Sequence, residues 1–454
     1  MELKNKKVLI VGAAVTGIPV VRLLSEMGAK VILNDRKDAS EISEMLESLK
    51  NINLKYVGGG HPAELADEAD VIVMSPGVPL DIPVVKKANE LNKEVISEIE
   101  LSYRLIDTPI VCITGTNGKT TTTALLGEIM KASGRKTFVT GNIGHTMISE
   151  VKNARPEDIF VLEASSFQLE CTKLFRPKVA AILNITPDHL DRHKTMDNYI
   201  AAKCKVFENQ TSEDYLILNK DNSETAILGN SAKSKVLFFS RREVLEEGAF
   251  LENNNIVISI NGEKHNIINK DDIFIPGAHN IENSLAAALM AFCLGVDGEI
   301  IAGILREFKG VEHRVEYVAE INGVRYYNDS KGTNVDSSIK GIESMTRPTV
   351  LIAGGYDKGS EFHDFIAVFG DVIKDMVLIG KTTDKIEKTA HEMGFLNTHR
   401  ASSLEEAVKM CAELAKPGYN VLLSPACASW DMFKNFEERG NLFKSLVLGL
   451  RGTE

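Results

Sequence analysis

Cysteine is scarce: the 454 residues hold 6, at 112, 171, 204, 293, 411 and 427, with no Cys-x-x-Cys pair. In a chain this long, such scatter excludes a disulfide framework and reads as free thiols in a reducing compartment. Basic residues do not predominate either. Lys plus Arg is 52 against 63 Asp plus Glu, a formal charge of −11, which excludes a general nucleic-acid coat. Anionic ligands stay open, because a local lysine cluster, Mg²⁺ or a helix N-terminus can hold a phosphate inside an acidic protein. No apolar run reaches the length a bilayer demands, and there is neither a fixed-period repeat nor a low-complexity tract. The expectation is a cytoplasmic protein that binds neither membrane nor nucleic acid.

Composition is otherwise ordinary, with 44% hydrophobic and 25% charged residues, and about 150 residues per domain suggests roughly three domains. The first residues, Met1 to Lys7 before Val8–Val11, have the outline of a signal peptide. The apolar run ends at a glycine loop without a cleavage site, so it reads as a first β-strand. Apolar, β-branched runs then recur, each followed by glycine and helical periodicity, which predicts parallel α/β architecture. Val8–Val11, Val31–Asn34 and Val71–Met74 form a first unit closed by Ser75-Pro-Gly-Val-Pro79. A second starts at Pro109–Thr114 and continues through Ile159–Leu162 and Val179–Ile185, with a β-rich insertion at Phe250–Ile260 and a closing helix at Ile281–Leu294. A third begins near Val315, with strands at Val324–Tyr327, Thr349–Ala353, Met376–Ile379 and Val421–Leu423. Boundaries fall near 95–108 and 307–314.

Thr114-Gly-Thr-Asn-Gly-Lys-Thr-Thr121 follows a strand and precedes helical Thr122–Ser133. Backbone N–H groups of such a loop wrap phosphates, Lys119 reaches the outer ones, and Thr120 can ligate Mg²⁺. GTP is disfavoured, since Asn219-Lys-Asp-Asn222 has Asn where the guanine-reading motif needs Asp. Glu163 ends a buried strand, either as an acid organising metal and water or as a surface carboxylate. Thr186-Pro-Asp-His-Leu-Asp-Arg-His193 sets two histidines at i, i+4 among carboxylates. That suits either a metal or a helix cap with solvated histidines. Lys203 sits in the bland helical stretch Ala201–Lys205. Gly12-Ala-Ala-Val-Thr-Gly17 with Asp35 resembles a dinucleotide fingerprint, but Ala14 replaces the middle glycine, so another nucleotide or tight packing fits as well. Tyr327–Asn334 places an acid, a lysine and polar groups in one glycine loop, for chemistry or merely for solvation. Trp430 and nearby phenylalanines read as core or as a site, and Cys427 as a structural thiol.

Taken together these residues match a family. T-G-T-N-G-K-T-T at 114–121, G-N-I-G at 141–144, E-A-S-S-F-Q-L-E at 163–170 and N-I-T-P-D-H-L-D-R-H at 184–193 resemble the Mur ligases. So do A-A-K at 201–203, P-G-A-H-N-I-E-N at 276–283, H-R at 313–314 and N-D-S-K-G-T-N at 328–334, in order over essentially the whole chain. The S-S-F-Q-L-E and S-P-A-C-A-S-W-D-M-F-K-N-F-E-E-R-G segments resemble the D-glutamate-adding branch, and the Asp-Asn-Pro-Arg motif of the diaminopimelate- or lysine-adding branch is absent.

The resemblance implies three α/β domains. They are a Rossmann-like N-terminal domain (1–100) for a uridine-nucleotide substrate, a central P-loop ATPase domain with a parallel sheet (101–308), and a Rossmann-like C-terminal domain (309–454) that binds D-glutamate and completes the ATP site. It implies ATP-driven peptide-bond synthesis through an acyl phosphate, with UDP-N-acetylmuramoyl-L-alanine and D-glutamate as substrates, ATP and Mg²⁺ as cofactors, and a monomer. For ATP it implies Gly115, Thr116, Asn117, Gly118, Lys119, Thr120, Thr121, Asn280, Asn283, Arg314 and Asp329. Lys119, His189, Lys203 and Lys331 would be catalytic, and Thr120, Glu163, His189 and a carbamylated Lys203 would hold metal. Substrate residues would be Thr16, Asp35, Ser75, Gly77, Asn142 and Ser165, with Thr333, Lys358, Ser429 and Phe436 on the D-glutamate side.

Overall fold

In this computed structural model the described residues are 1–13, 16–357 and 359–452. Each of the three sheets is mostly parallel because its central strands are apolar on both faces, which only helices covering both faces can satisfy. The first sheet has five parallel strands, β1 (Lys7–Val11), β2 (Lys30–Asn34), β3 (Leu54–Val57), β4 (Val71–Met74) and β5 (Glu94–Ser97), in the order β3-β2-β1-β4-β5. The order reverses between β1 and β4, so the loops leaving them, at Gly12 and Ser75, flank the crevice where such sheets take ligands.

The second sheet has nine strands, β6 (Ile110–Thr114), β7 (Thr137–Gly141), β8 (Ile159–Glu163), β9 (Val179–Ile182), β10 (Tyr215–Asn219), β11 (Lys235–Ser240), β12 (Gly248–Glu252), β13 (Asn255–Ile260) and β14 (Glu263–Asn269). Their order is β14-β13-β12-β11-β10-β9-β6-β8-β7, antiparallel only from β12 to β14, so the β-rich insertion is an antiparallel flank of the sheet. The third sheet runs β15-β16-β20-β17-β18-β19, with β15 (Glu316–Ile321) antiparallel to β16 (Val324–Asn328). Its other strands, β17 (Thr349–Ala353), β18 (Ile373–Leu378), β19 (Thr398–Arg400) and β20 (Asn420–Leu423), are parallel.

Contacts divide the chain into two compact units, one of Met1–Lys270 with Glu282–Leu305, the other of Asp271–Ile281 with Arg306–Glu454. The first sheet therefore gains two strands over the expected three, and residues 271–281 group with the C-terminal part, which the sequence pattern does not suggest. Among the described residues no helix is long and apolar enough to cross a membrane.

Candidate active site

β6 is buried along its whole length and ends in the loop Gly115–Gly118, which feeds the helix Lys119–Ala132. The helix begins at Lys119, three residues before the expected Thr122. Gly118 stands at its N-cap with φ of 83°, and a Cβ there would lie 2.4 Å from Asn283 Oδ1, so both conformation and space require glycine. Asn283, one of the expected ATP residues, also accepts a hydrogen bond from Thr122 Oγ1 at 3.2 Å. Asn184 shapes the loop from the far side: its carbonyl accepts from Thr116 N–H at 2.9 Å and its Oδ1 from Asn117 N–H at 2.8 Å.

Two lysines converge on one carbonyl. Lys119 Nζ donates to Gly115 O at 2.9 Å and to Thr116 O at 2.8 Å, and Lys203 Nζ donates to the same Gly115 O at 2.8 Å. Lys203 is 1% exposed, lies 4.5 Å over the Tyr199 ring, and has its pKa pushed down to about 7, first by burial and then by the neighbouring Lys119 charge. Sequence chemistry gave no reason to select Lys203, since its burial is made by the fold. Tyr199, which the sequence reading passed over, also reaches the loop, its hydroxyl 3.1 Å from Thr116 Oγ1.

Glu163 pairs in register with Ile113 beside the loop and is 1% exposed, which rules out the surface-carboxylate alternative. Its Oε1 accepts from Asn142 Nδ2 at 2.9 Å, while its Oε2 is buried without a hydrogen-bond partner. A buried carboxylate oxygen in that state suits a cation or its water. Thr120 and Thr121 occupy the first turn of the following helix. Among the described residues no three His, Cys, Asp or Glu side chains cluster to hold a metal.

The two histidines part company. His189 is exposed, its ring 4.9 Å from Phe167 and its Nε2 3.4 Å from Asp188 Oδ2. His193, open to either a metal or a solvated cap, is not solvated: it is 5% exposed, with Nε2 2.9 Å from Ser166 Oγ and Nδ1 3.3 Å from Glu170. Burial lowers its pKa, which favours the neutral imidazole. The Ser165 hydroxyl caps the short helix Ser166–Leu169 in a capping box with Gln168. A cavity of about 900 Å³ opens beside this cluster, lined by Gly77, Phe167, His189, Arg192 and Lys205 among others. Arg192 closes one side, donating to Val78 O at 3.1 Å and to Glu170 at 2.8 Å.

In the first sheet Ser75 Oγ donates to Gly12 O at 2.9 Å, and Asp35 accepts from Ala13 N–H at 2.7 Å, so both residues shape the glycine loop. Thr16 is the N-cap residue of the helix Gly17–Glu26, with no side-chain cap bond.

In the second compact unit, Asp329 is 4% exposed rather than solvated, and burial raises its pKa to about 7. Its Oδ2 accepts from Ser424 Oγ at 2.7 Å. Arg314 Nε is buried without a hydrogen-bond partner. Asn280 donates to Pro276 O at 2.7 Å. Lys331 Nζ lies 5.8 Å over the Phe436 ring, and the Thr333 N–H donates to Lys331 O at 2.8 Å. Ser429 is buried, its carbonyl accepting from Phe433 N–H at 2.8 Å. Lys358 lies outside the described residues. Trp430 is not core: it is 62% exposed, against Tyr356. Cys427 is buried, and burial pushes its thiol up to about 11, which fits a structural thiol. Sequence reading also missed Arg439, which is buried and donates to Ser330 O at 2.8 Å and to Cys427 O at 3.3 Å; its only signal was the quoted E-E-R-G.

A P-loop at the end of a central parallel strand, its lysine joined by a second, buried lysine, points to a nucleotide-dependent enzyme. Family models give it a narrower class. The Mur ligase MurD-like N-terminal domain matches residues 6–97, the Mur ligase middle domain 113–291 and the Mur ligase glutamate ligase domain 313–427. The UDP-N-acetylmuramoylalanine–D-glutamate ligase of Thermoanaerobacter sp. (strain X514) is 51% identical over 453 residues, covering 99% of this chain and 100% of its own. That of Alkaliphilus oremlandii is 52% identical over the same shares. Among solved structures, the UDP-N-acetylmuramate–alanine ligase of Thermotoga maritima has a TM-score of 0.60 at 18% identity, covering 99% of this chain and 100% of that one. The chain belongs to the Mur ligase family and is an ATP-dependent ligase.

Proposed function

We propose that the enzyme adds D-glutamate to UDP-N-acetylmuramoyl-L-alanine in peptidoglycan precursor synthesis, in the cytoplasm and as a monomer. Working domain boundaries fall at 100/101 and 308/309. The geometric observation that carries the chemistry is the pair of lysines on Gly115 O. Crowding Lys203 against Lys119 on one carbonyl favours its neutral amine and leaves the Lys119 ammonium for an incoming polyphosphate.

A carboxylate must be activated before an amine can displace oxygen from it. The alanine carboxylate attacks the γ-phosphorus of ATP, ADP leaves, and an acyl phosphate forms. The neutral D-glutamate amine then adds to the acyl carbon, the C–O bond breaks with its electron pair leaving on phosphate, and the nitrogen gives up one proton, which hydrogen phosphate carries away. Lys119 holds the outer phosphates in line, and the Thr116 and Asn117 amides turn from Asn184 to phosphate oxygen. Glu163 and Thr120 suit one Mg²⁺, and His189 with a carbamylated Lys203 a second; the ions would neutralise charge on the phosphates. A near-neutral pKa keeps enough of Lys203 as free amine to add CO₂, releasing a proton and leaving an anionic carbamate. Asn280, Asn283, Arg314 and Asp329 serve the nucleotide. Thr16, Asp35, Ser75, Gly77, Asn142 and Ser165 serve the uridine-muramyl substrate, and Lys331, Thr333, Lys358, Ser429 and Phe436 the amino acid.

Phosphate release from ATP with UDP-N-acetylmuramoyl-L-alanine tests the reading, with D-Glu, L-Glu, L-Lys and diaminopimelate compared. Turnover requires D-Glu and the uridine nucleotide together; equal activity with L-Lys overturns the assignment.

A further inference from the structure

Thr382 follows β18 and precedes the helix Thr383–Glu392 as its N-cap residue, where a threonine hydroxyl ordinarily bonds the first turn of the helix. Here it makes no cap bond. The side chain is 1% exposed and its hydroxyl is used elsewhere. It accepts from Gly355 N–H at 3.0 Å, lies 3.2 Å from Gly355 O, and is 3.4 Å from Cys427 Sγ. The Thr382 N–H adds a bond to Gly355 O at 3.1 Å.

Those partners belong to the two segments that lead to the amino-acid residues proposed above. Gly355 begins the run to Lys358, and Cys427 lies two residues before Ser429. The segments are also joined directly: Gly354 N–H donates to Pro425 O at 2.9 Å and Tyr356 N–H to Ala428 O at 2.8 Å. Packing leaves no slack, since a Cβ on Gly355 would lie 2.4 Å from Ala428 O, and one on Gly380 would lie 2.8 Å from Gly355 Cα. One hydroxyl thus joins three chain segments at the C-terminal ends of β17, β18 and β20.

We propose that Thr382 is a positioning residue for the incoming amino acid, holding the Gly355 and Cys427 segments in register so that the groups beyond them can meet a dicarboxylate. The proposal rests on the D-glutamate reading. A threonine spent on its own helix would leave the Gly355 N–H to find another partner, and an unpaired buried amide is costly.

Thr382→Val keeps the shape and deletes the hydroxyl, whereas Thr382→Ser keeps the hydroxyl. With phosphate release as the assay, Thr382→Val raises the KM for D-Glu roughly tenfold, as for one lost buried hydrogen bond. The KM for ATP stays unchanged, and Thr382→Ser returns the KM for D-Glu to within about twofold of wild type. Amide exchange at Gly355 accelerates in the valine variant, a readout independent of turnover. An unchanged KM for D-Glu, a parallel rise in every KM, a serine variant behaving like valine, or unchanged exchange at Gly355 overturns the proposal. Wild-type protein without D-Glu-dependent phosphate release overturns the substrate reading instead, and amide exchange then decides the clamp by itself.

Discussion

A lysine side chain with a pKa near 7 is an acid–base group of physiological range on a residue that is ordinarily a fixed cation. Burial disfavours the charged form of Lys203, and Lys119 disfavours it further, so the amine is neutral above about pH 7 and protonated below. Its folded pKa lies below the unfolded value. Lys203 therefore costs stability below pH 7, and the cost fades as pH rises toward 10.5. Only the neutral amine adds CO₂. With ¹³C-bicarbonate, a carbamate carbonyl resonance is expected at pH 8, weakening as pH falls through 7, and absent in Lys203→Ala. Persistence of the same resonance in Lys203→Ala would place the carbamate elsewhere.

At the scale of elements, one carboxylate pins a whole loop. Glu100, in the helix Glu98–Tyr103, accepts from the N–H groups of Lys173, Leu174 and Phe175 at 2.9 to 3.1 Å and pairs with Arg104. Its side chain is fully buried. Glu100→Gln preserves shape but turns one acceptor oxygen into a donor facing donors, at a cost of about 3 kcal/mol. A lowered urea midpoint checks this; an unchanged midpoint would mean that the loop finds other acceptors.

Elements were legible where burial on both faces writes an uninterrupted apolar run, as in β1, β4, β6 and β17. Strands β3 and β7 are partly exposed, and their polar residues break the run. β10 and β11 are apolar but lead into Lys220-Asp-Asn and Arg241-Arg, so a search for strand followed by glycine passes over them. The site divides in the same way. Lys119 was visible because its loop is contiguous in sequence, and Glu163 because it ends an uninterrupted apolar strand. Lys203, Tyr199, Asn184 and Thr382 act through contacts between distant segments, which no local pattern records.

For the molecule as a whole, two compact units with separate apolar cores make simple two-state melting unexpected. Calorimetry should show a measured enthalpy above the van't Hoff value. A non-hydrolysable ATP analogue at a hundredfold excess over its Kd should stabilise the unit carrying the P-loop by about 2.7 kcal/mol. A single transition with equal enthalpies would show that the units unfold together.

The grouping of residues 271–281 with the C-terminal unit has a consequence for biosynthesis. The ribosome delivers this segment before the helix Gly298–Glu307 that completes the first unit, and long before β15–β20 of the second. The nascent chain therefore presents 271–277 and the first turn of the helix Ala278–Cys293 before their partners in the second unit exist, while the rest of that helix joins the earlier unit. Ordered domain-by-domain folding is interrupted at that point. A truncation placed after Lys270 removes the closing helices of the first unit, and one placed after Leu305 strands 271–281 without their partners.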